Sequence, residues 1–430
     1  MSHSHHSIDN SANNAVPRSA LLILIPAAAA TLVALFMLWP IGLEEADELD
    51  EGEEVTGDVI AVMEEECPNG EEGMPTGMVP ERCGTVVVEL TSGPDEGQEV
   101  ITDMPFGPGA PVDVESGDQV VVMHLPEGQV DNPYHIIDFE RSQALWALAI
   151  AFVLAIIAFG RWKGARALVS LTLTFTILLF FVVPGILDGQ PPLLVAIVGA
   201  SAIMLASLYI THGWNRTTTV SVLGTLGALL LTGLMAGAAV NLAQINGIID
   251  SETSLLSMHY GIDMSGLLLA GILIGALGVI DDVTISQATT VNEVAKASPN
   301  YSRRQLFSAG MRVGRAHITS VVNTLVLAYA GAALPLLVLI AASAQPVGQV
   351  LTSQLIATEI ARSVIGTLGL IAAVPMTTAM AAWFARQEPA PAKEPDPITP
   401  PKKPKQTEKK RDIHEVAWDN DDPPPPGAKE

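Results

Sequence analysis

Two neighbouring aspartates, Asp281 and Asp282, stand at the point where the apolar run "GILIGALGVI" ends. On a continuous helix, Asp282, Ser286 and Glu293 fall on one stripe, because steps of four and seven residues return to the same helical face. Ionisable side chains at membrane depth usually face a bundle interior or a water-filled cavity. The pattern therefore predicts a local gate or a cation site at the two aspartates.

A plainer interpretation of the same two residues stays open. Residues 264–280 are apolar and make about 25 Å of helix, so both aspartates can lie in the headgroup layer, where acids cost little. Just ahead of them, Gly271, Gly275 and Gly278 form a small-residue face of the kind that lets another transmembrane helix approach closely. The segment thus combines an expected packing face with a polar continuation.

The next apolar segment begins with "MRVGRAHITSVVNTLVLAYAG" and carries Arg315 and Asn323 roughly along one side. We expect Asn323 to lie well inside the bilayer, where its amide needs a partner. That partner is either another helix or a substrate, and the sequence does not distinguish them. Because the connection between the two segments is short, we expect Asp282 to face Arg315 and Asn323 across their interface.

Glu359 and Arg362 open the last apolar segment, "TEIARSVIGTLG", three residues apart. At this spacing the two side chains are neighbours on a helix and can neutralise each other. A local ion pair that eases insertion and a gate are equally compatible with the pattern.

Charge is distributed unevenly along the 430-residue chain, whose net charge is −24 and of which about half the residues are hydrophobic. Of its 46 acidic residues, 27 lie in residues 43–140, where Arg82 is the only base. The remainder is almost neutral and very apolar, which is typical of a membrane protein. The sequence therefore predicts one acidic domain attached to a hydrophobic body.

Eight windows are apolar enough to cross about 30 Å of hydrocarbon. They are residues 19–42, 142–160, 167–186, 192–211, 217–241, 264–282, 317–342 and 356–384. The loops at 161–166, 212–216 and 294–315 are basic, whereas the alternate loops have no Lys or Arg. By the positive-inside rule the basic loops, and with them both termini, are cytoplasmic. The first window lacks an A-x-A cleavage site, so we interpret it as a retained signal anchor.

These windows divide the chain into five parts. We expect a disordered cytoplasmic leader (1–18), a signal-anchor helix (19–42), an acidic extracytoplasmic β domain (43–141), a seven-helix membrane body (142–385) and a disordered cytoplasmic tail (386–430). The tail is rich in Pro and in charges of both signs, a composition that cannot build a core.

The acidic segment contains short alternating runs such as "GDVIAVM" and "CGTVVVEL", separated by Gly, Pro and Asp. These runs are typical of strands, and about 95 residues suffice for one small OB-like barrel or sandwich. Cys67 and Cys83 are the only cysteines and both lie here, so we expect a disulfide between them. A metal site that uses them with Glu64, Glu65 and Glu66 is the alternative, but it lacks a third soft ligand.

Three stretches together resemble the signature blocks of YibE/F-like bacterial membrane proteins: "GALGVIDDVTISQATTVNEV", "GRAHITSVVNTLVLAYAGAALPLL" and "TEIARSVIGTLGLIAAVPMT". The resemblance covers about residues 163–375. It implies a bacterial cell membrane, a small β-rich segment after the first span, and no particular activity. This sequence departs from the pattern by Asp281 and by Gln287. The residues that carry the resemblance are Gly275, Asp282, Ser286, Glu293, Gly314, Arg315, Asn323, Thr324, Tyr329, Gly331, Pro335, Glu359, Arg362, Gly366 and Pro375.

A transporter, either an exporter or a secondary permease for an unknown small molecule or ion, is the function we expect. The alternative is an envelope scaffold or sensor whose outer domain binds a ligand or partner. An aspartyl protease is disfavoured because no second span contains an aspartate, and a zinc peptidase because there is no H-E-x-x-H motif. We expect no enzymatic activity, cofactor, metal or nucleic-acid partner, and contacts with the bilayer and with a second copy or an envelope protein.

Overall fold

The fold is taken from a computed structural model, which describes residues 16–40, 52–65, 67, 82–105, 113–125, 132–249, 251–342 and 346–385. Most of the expected leader, the acidic run after Leu43, Glu66 and the expected tail lie outside the described residues. The described part consists of long helices and one antiparallel sheet.

The helices are α1 (Arg18–Met37), α2 (Ser142–Ile177), α3 (Val183–Leu187), α4 (Pro192–His212), α5 (Arg216–Leu242), α6 (Ser251–Tyr260), α7 (Met264–Ala297), α8 (Arg303–Ala332), α9 (Leu334–Ala342), α10 (Val347–Leu351) and α11 (Gln354–Phe384). A π-helical turn, Leu178–Val182, joins α2 to α3.

Six helical stretches of the described chain are long and apolar enough to cross a membrane. Helices α8 and α9 meet at a bend of 59° and make a seventh candidate if the pair counts as one span. The bend lies between Gly331 and Pro335, two residue types that weaken or kink a helix. The stretch Ser142–Leu187 is 46 residues long, and its backbone is non-helical at Arg161.

Three helices, α5, α7 and α11, form the centre of the membrane body, with α4 and α8 packed beside α7. Small residues bring α5 and α11 together. A Cβ atom at Gly224 of α5 would overlap Thr377 of α11, and a Cβ atom at Gly369 of α11 would overlap Thr232 of α5. This reciprocal fit of glycine and threonine holds the central helices at close distance.

The two ends of the bundle differ in composition. At one end, one apolar cluster contains Val220, Val291, Leu306 and Ala381. Basic residues of segments 212–216 and 294–315 are close in sequence to this cluster. At the other end, Val240, Leu268 and Ile365 pack together. The last turns of α5 and α11 therefore point in opposite directions along the bundle.

The segment after α1 folds into five strands: β1 (Glu53–Glu65), β2 (Cys83–Leu90), β3 (Glu99–Asp103), β4 (Gln119–His124) and β5 (Tyr134–Phe139). Their order is β3-β2-β1-β4-β5, and all neighbours are antiparallel. Alternate residues are buried, and Val55, Val86, Val88, Val120 and Val122 make the core. The expected strands are therefore confirmed, and they form one antiparallel sheet.

The sheet is open, since no ladder joins β3 to β5 among the described strands. Side chains bridge the two edges instead. Thr102 Oγ1 donates to the Tyr134 carbonyl at 2.7 Å, and Asn132 Nδ2 donates to the Ile101 carbonyl at 3.0 Å. The expected disulfide is present: Cys67 and Cys83 are bonded, with their Cα atoms 5.1 Å apart.

Candidate functional site

Asp281 lies on the inward side of α7, where α7 meets α5. Thr225 of α5 interacts with its carboxylate, and Thr225 Oγ1 is 2.7 Å from Thr284 Oγ1. Both threonines are fully buried. The carboxylate oxygen Oδ1 of Asp281 is buried and has no hydrogen-bond partner among the described residues. An unpaired carboxylate oxygen in a protein interior is costly and indicates a function that needs it.

Thr284 closes the network on the α7 side. Its hydroxyl lies 2.9 Å from the Asp281 carbonyl oxygen, and the Ser221 hydroxyl of α5 lies 3.3 Å from the Thr284 carbonyl oxygen. The side chains around Asp281 are therefore hydroxyls rather than bases or further acids. Across the described residues there is no group of three or more His, Cys, Asp or Glu that could hold a metal ion.

Asp282 points in a different direction. It is exposed, and it interacts electrostatically with His212, the last residue of α4. No ion pair within 4.0 Å joins Asp282 to Arg315 in the described chain. The expected contact between these two residues is therefore not made within one chain.

The stripe that the sequence predicted on α7 exists, and it is open. Gly271 and Gly278 have no neighbour within 4 Å of an added Cβ, and Gly275 has only the Tyr329 hydroxyl, at 3.9 Å. The expectation that a neighbouring helix packs closely on this face is wrong for the single chain. The polar continuation, Ser286 and Glu293, is likewise exposed, and Glu293 pairs with Lys296 at 2.7 Å.

Helix α8 packs through its first half only. Leu306, Ala309, Gly310 and Gly314 are buried, and no later residue of α8 is. Arg315 and Asn323 are exposed, and in the described structure neither side chain has a polar partner. The partner expected for the Asn323 amide is therefore not supplied by a neighbouring helix of the described chain, and α8 carries a polar surface that this chain does not cover.

Glu359 and Arg362 form the expected ion pair on α11, with 2.8 Å between Arg362 Nη1 and Glu359 Oε1. Each side chain is about one-third exposed. The structure does not bring this pair together with Asp281, since Glu359 lies in the second turn of α11, next to Thr358 and near the end where Val240 packs.

Gln287, at which the sequence differs from the YibE/F-like pattern, is a structural residue. It is buried, and its Nε2 donates to the Gly310 carbonyl at 2.9 Å and to Thr378 Oγ1 at 2.7 Å. It thereby joins α7, α8 and α11. The buried hydroxyls of Ser221 and Thr225 were missed altogether, although the polar run "RTTTVS" before an apolar helix was a signal for them.

Two cavities lie away from Asp281. One, of about 410 Å³, lies between α4, α5 and α7, and its described lining has no ionisable residue. The other, of about 340 Å³, lies where the sheet meets α2, and its lining includes Asp58, Gln119, Glu140 and Gln143. Gln143 Nε2 donates to Gln119 Oε1 at 2.9 Å, so this polar cavity connects the sheet to the first turn of α2.

Hydrogen bonds also shift the pKa values of charged groups in and beside the sheet. The Arg141 guanidinium donates to Asp138 at 2.6 Å and, together with the Phe139 N–H, holds the pKa of that carboxyl below its usual range. Glu64 accepts from Arg82, beside Cys83, and raises the pKa of that guanidinium. These charged groups are exposed, so they are structural contacts at the surface rather than a buried reaction site.

Comparison with family models shows which protein family this chain belongs to. The family model of the YibE/F-like protein matches residues 148–387, more than half of the chain. This chain belongs to the YibE/F-like family. The matched region of this YibE/F-like chain contains Asp281, Asp282, Arg315, Asn323 and Arg362, and it excludes the sheet. Comparison with curated proteins and with solved structures gives no match.

Proposed function

We propose that this YibE/F-like chain is a secondary transporter of the cell membrane in which Asp281 binds and releases a proton. The observation that carries the proposal is the buried, unpartnered Oδ1 atom of Asp281 at the contact between α5 and α7. Ionisable groups in membrane helices are rare and belong to ion pathways and proton relays in pumps and transporters.

A proton fits this position better than a metal ion does. Calcium takes six to eight oxygen ligands and magnesium near-ideal octahedral coordination, whereas the surroundings of Asp281 offer one free carboxylate oxygen and two hydroxyls that already contact each other. A proton on Oδ1 removes the buried charge without any further ligand. Nothing larger has to enter the contact between the helices.

The neighbouring groups support exchange of this proton with water. Asp282 interacts electrostatically with Asp281 on one side and with His212 on the other. Chains of Asp, Glu and His are typical of proton relays. Because His212 and Asp282 are exposed in the single chain, protons from solvent can reach Asp281 from this side of the bundle.

The topology follows from the basic loops. We propose eight spans, with the stretch Ser142–Leu187 crossing twice, because 46 residues of helix measure about 69 Å, more than twice the hydrocarbon thickness. Both termini and the 294–315 loop are then cytoplasmic, and the sheet is extracytoplasmic. In this topology Asp281 lies in the cytoplasmic half of the bilayer.

The same geometry disfavours an intramembrane protease. An aspartyl protease shares one proton between two carboxylates that face each other. Here Oδ1 of Asp281 is buried whereas Asp282 is exposed, and adjacent helical residues point about 100° apart. We therefore propose no enzymatic activity and no cofactor.

Proton flux into liposomes tests the proposal. The purified chain is reconstituted with an entrapped pH-sensitive dye, and a pH gradient is imposed with a panel of inorganic cations, organic anions and amphiphiles outside. We expect substrate-dependent proton movement that Asp281→Asn abolishes. Asp263→Asn, at the exposed first turn of the same helix, is the matched control and retains the flux. Equal flux in wild type and Asp281→Asn contradicts the proposal.

A sensor or scaffold is the second candidate, and the polar cavity beside α2 favours it. A ligand held by Asp58, Gln119 and Glu140 would contact the same hydrogen bonds that attach the sheet to α2. If Gln119→Ala abolishes the cellular function while Asp281→Asn leaves it intact, the sensor is the better account.

A further inference from the structure

We infer that the membrane body self-associates through α7 and α8, with Asp282 of one chain paired with Arg315 of a second copy. This inference does not depend on the transport proposal. It rests on two faces of the bundle that the single chain leaves uncovered and that carry opposite charges at the same depth.

The first face is the open side of α7. Gly271 and Gly278 contact nothing, and Asp282 continues the same stripe without an ion pair or hydrogen bond in the described structure. A small-residue face in a membrane helix favours close approach of another helix. A carboxylate at its inner end requires a partner that carries a cation or a hydrogen-bond donor.

The second face is the open side of α8. Arg312, Arg315, Thr319 and Asn323 are all exposed. Arg312 Nη1 donates to Ser308 on its own helix at 3.2 Å, whereas the Arg315 guanidinium and the Asn323 amide have no partner among the described residues. Between the two arginines and Asn323, the surface is made of Ala316 and Thr319, which are small enough to admit a glycine-lined helix.

The two faces lie at matching depth. Val283 of α7 belongs to the same apolar cluster as Ile318 and Val321 of α8, so Asp282 and Arg315 are near one level of the membrane. A two-fold axis along the membrane normal preserves depth and produces an isologous contact, in which α7 meets the partner's α8 and α8 meets the partner's α7. One interface then forms two Asp282–Arg315 pairs, and the charge complementarity is reciprocal.

The self-pairing explains why the expected contact between Asp282 and Arg315 is absent within one chain. Neither residue has an ion pair in its own chain among the described residues. A second copy that covers the two exposed faces buries both charges, and charges that become buried need a partner of opposite sign. A second copy supplies both partners at once and covers the glycine face.

Disulfide trapping between two differently tagged copies tests the inference. The native cysteines do not interfere, because Cys67 and Cys83 are bonded to each other. One copy carries Asp282→Cys and the other Arg315→Cys, and membranes are oxidised before denaturing electrophoresis. We expect a cross-linked dimer that contains both tags. The matched control replaces Arg315→Cys by Phe159→Cys, at a residue that is 97% exposed on α2, and should give several-fold less product.

A second pair of variants keeps both charges. Ser286→Cys and Thr319→Cys lie on the same two faces and should cross-link in the same mixed experiment. In parallel, Arg315→Glu should weaken dimerisation of the purified chain about tenfold, the change that corresponds to about 1.4 kcal/mol, and Asp282→Arg combined with Arg315→Glu should restore it. Mixed products no stronger than with Phe159→Cys overturn the inference. So does a bond that forms only within a single chain carrying both Asp282→Cys and Arg315→Cys.

Discussion

Replacing Gly224 by Ala should loosen the contact between α5 and α11. The added Cβ would overlap Thr377 Oγ1 and lie 3.2 Å from Thr377 Cβ and 3.3 Å from Thr377 Cγ2. Overpacking of this kind costs about 1–3 kcal/mol, whereas Ala in place of Gly in a helix gains about 1 kcal/mol. The net destabilisation is about 0–2 kcal/mol. Because Gly224 directly precedes Thr225, a movement of α5 away from α11 should also disturb the interaction between Thr225 and Asp281.

Gly237 provides the matched control on the same helix. A Cβ atom there meets nothing within 4 Å, so Gly237→Ala should be neutral or stabilising. The overlap alone therefore separates the two variants by about 1–3 kcal/mol. Apparent melting temperatures in detergent, followed by size-exclusion chromatography, should rank Gly224→Ala below wild type and Gly237→Ala.

Thr377→Ala should rescue Gly224→Ala. It removes the overlapping atoms, and it also removes a hydroxyl that is buried without a partner in the described structure, so the single change should cost little. The coupling between the two positions is then positive in a double-mutant cycle. Two results would contradict the described close approach of α5 and α11. One is an equal melting temperature for Gly224→Ala and Gly237→Ala. The other is a lower melting temperature when Thr377→Ala is combined with Gly224→Ala than for Gly224→Ala alone.

Three further outcomes are expected. Gln287→Leu should cost about 1–3 kcal/mol, because it leaves the Gly310 carbonyl and the Thr378 hydroxyl without their donor, whereas Ser286→Ala next to it should change melting little. Both cysteines should resist thiol reagents after the protein is denatured without reducing agent, and Cys67→Ser with Cys83→Ser should lower the stability of the five-stranded sheet by about 3 kcal/mol. Two freely labelled thiols contradict the disulfide. The single changes Glu359→Gln and Arg362→Gln should each lower the amount of folded protein, and the double change should restore it, with a coupling energy of about 0.3–1 kcal/mol. Loss of activity in a well-folded double variant would instead indicate a gate.

The architecture was readable from the sequence because membrane helices and alternating strands leave strong patterns. The apolar windows, the strands after α1, the disulfide and the Glu359–Arg362 pair all follow from local spacing. The bend between α8 and α9 was signalled by Gly331 and Pro335. Local patterns did not distinguish an open sheet from the expected OB-like barrel, because the contacts between β3 and β5 depend on residues about thirty positions apart.

The candidate site on α7 could be predicted only in part from the sequence. Periodicity placed Gly271, Gly275, Gly278 and Asp282 on one stripe, which is correct, but it did not tell whether another helix covers that stripe. The direction of Asp281 depends on which side of α7 meets α5, and that is a property of the packing. The periodicity therefore assigned the central role to Asp282, whereas the carboxylate oxygen that is buried without a partner belongs to Asp281.

A further consequence concerns the order of importance of the two aspartates. Because Asp281 lies among buried hydroxyls and Asp282 is exposed, Asp281→Asn should be the more harmful change to transport. An equal or larger loss with Asp282→Asn would return the central role to the exposed residue.

Infrared difference spectroscopy of the purified chain tests most directly whether Asp281 binds a proton. Spectra recorded on acidification of the protein in lipid should show the carbonyl stretch of a newly protonated, buried carboxyl group. The account predicts that this band disappears in Asp281→Asn and persists in Asp282→Asn and Asp263→Asn. A band that survives Asp281→Asn, or that Asp282→Asn removes while Asp281→Asn does not, would contradict it.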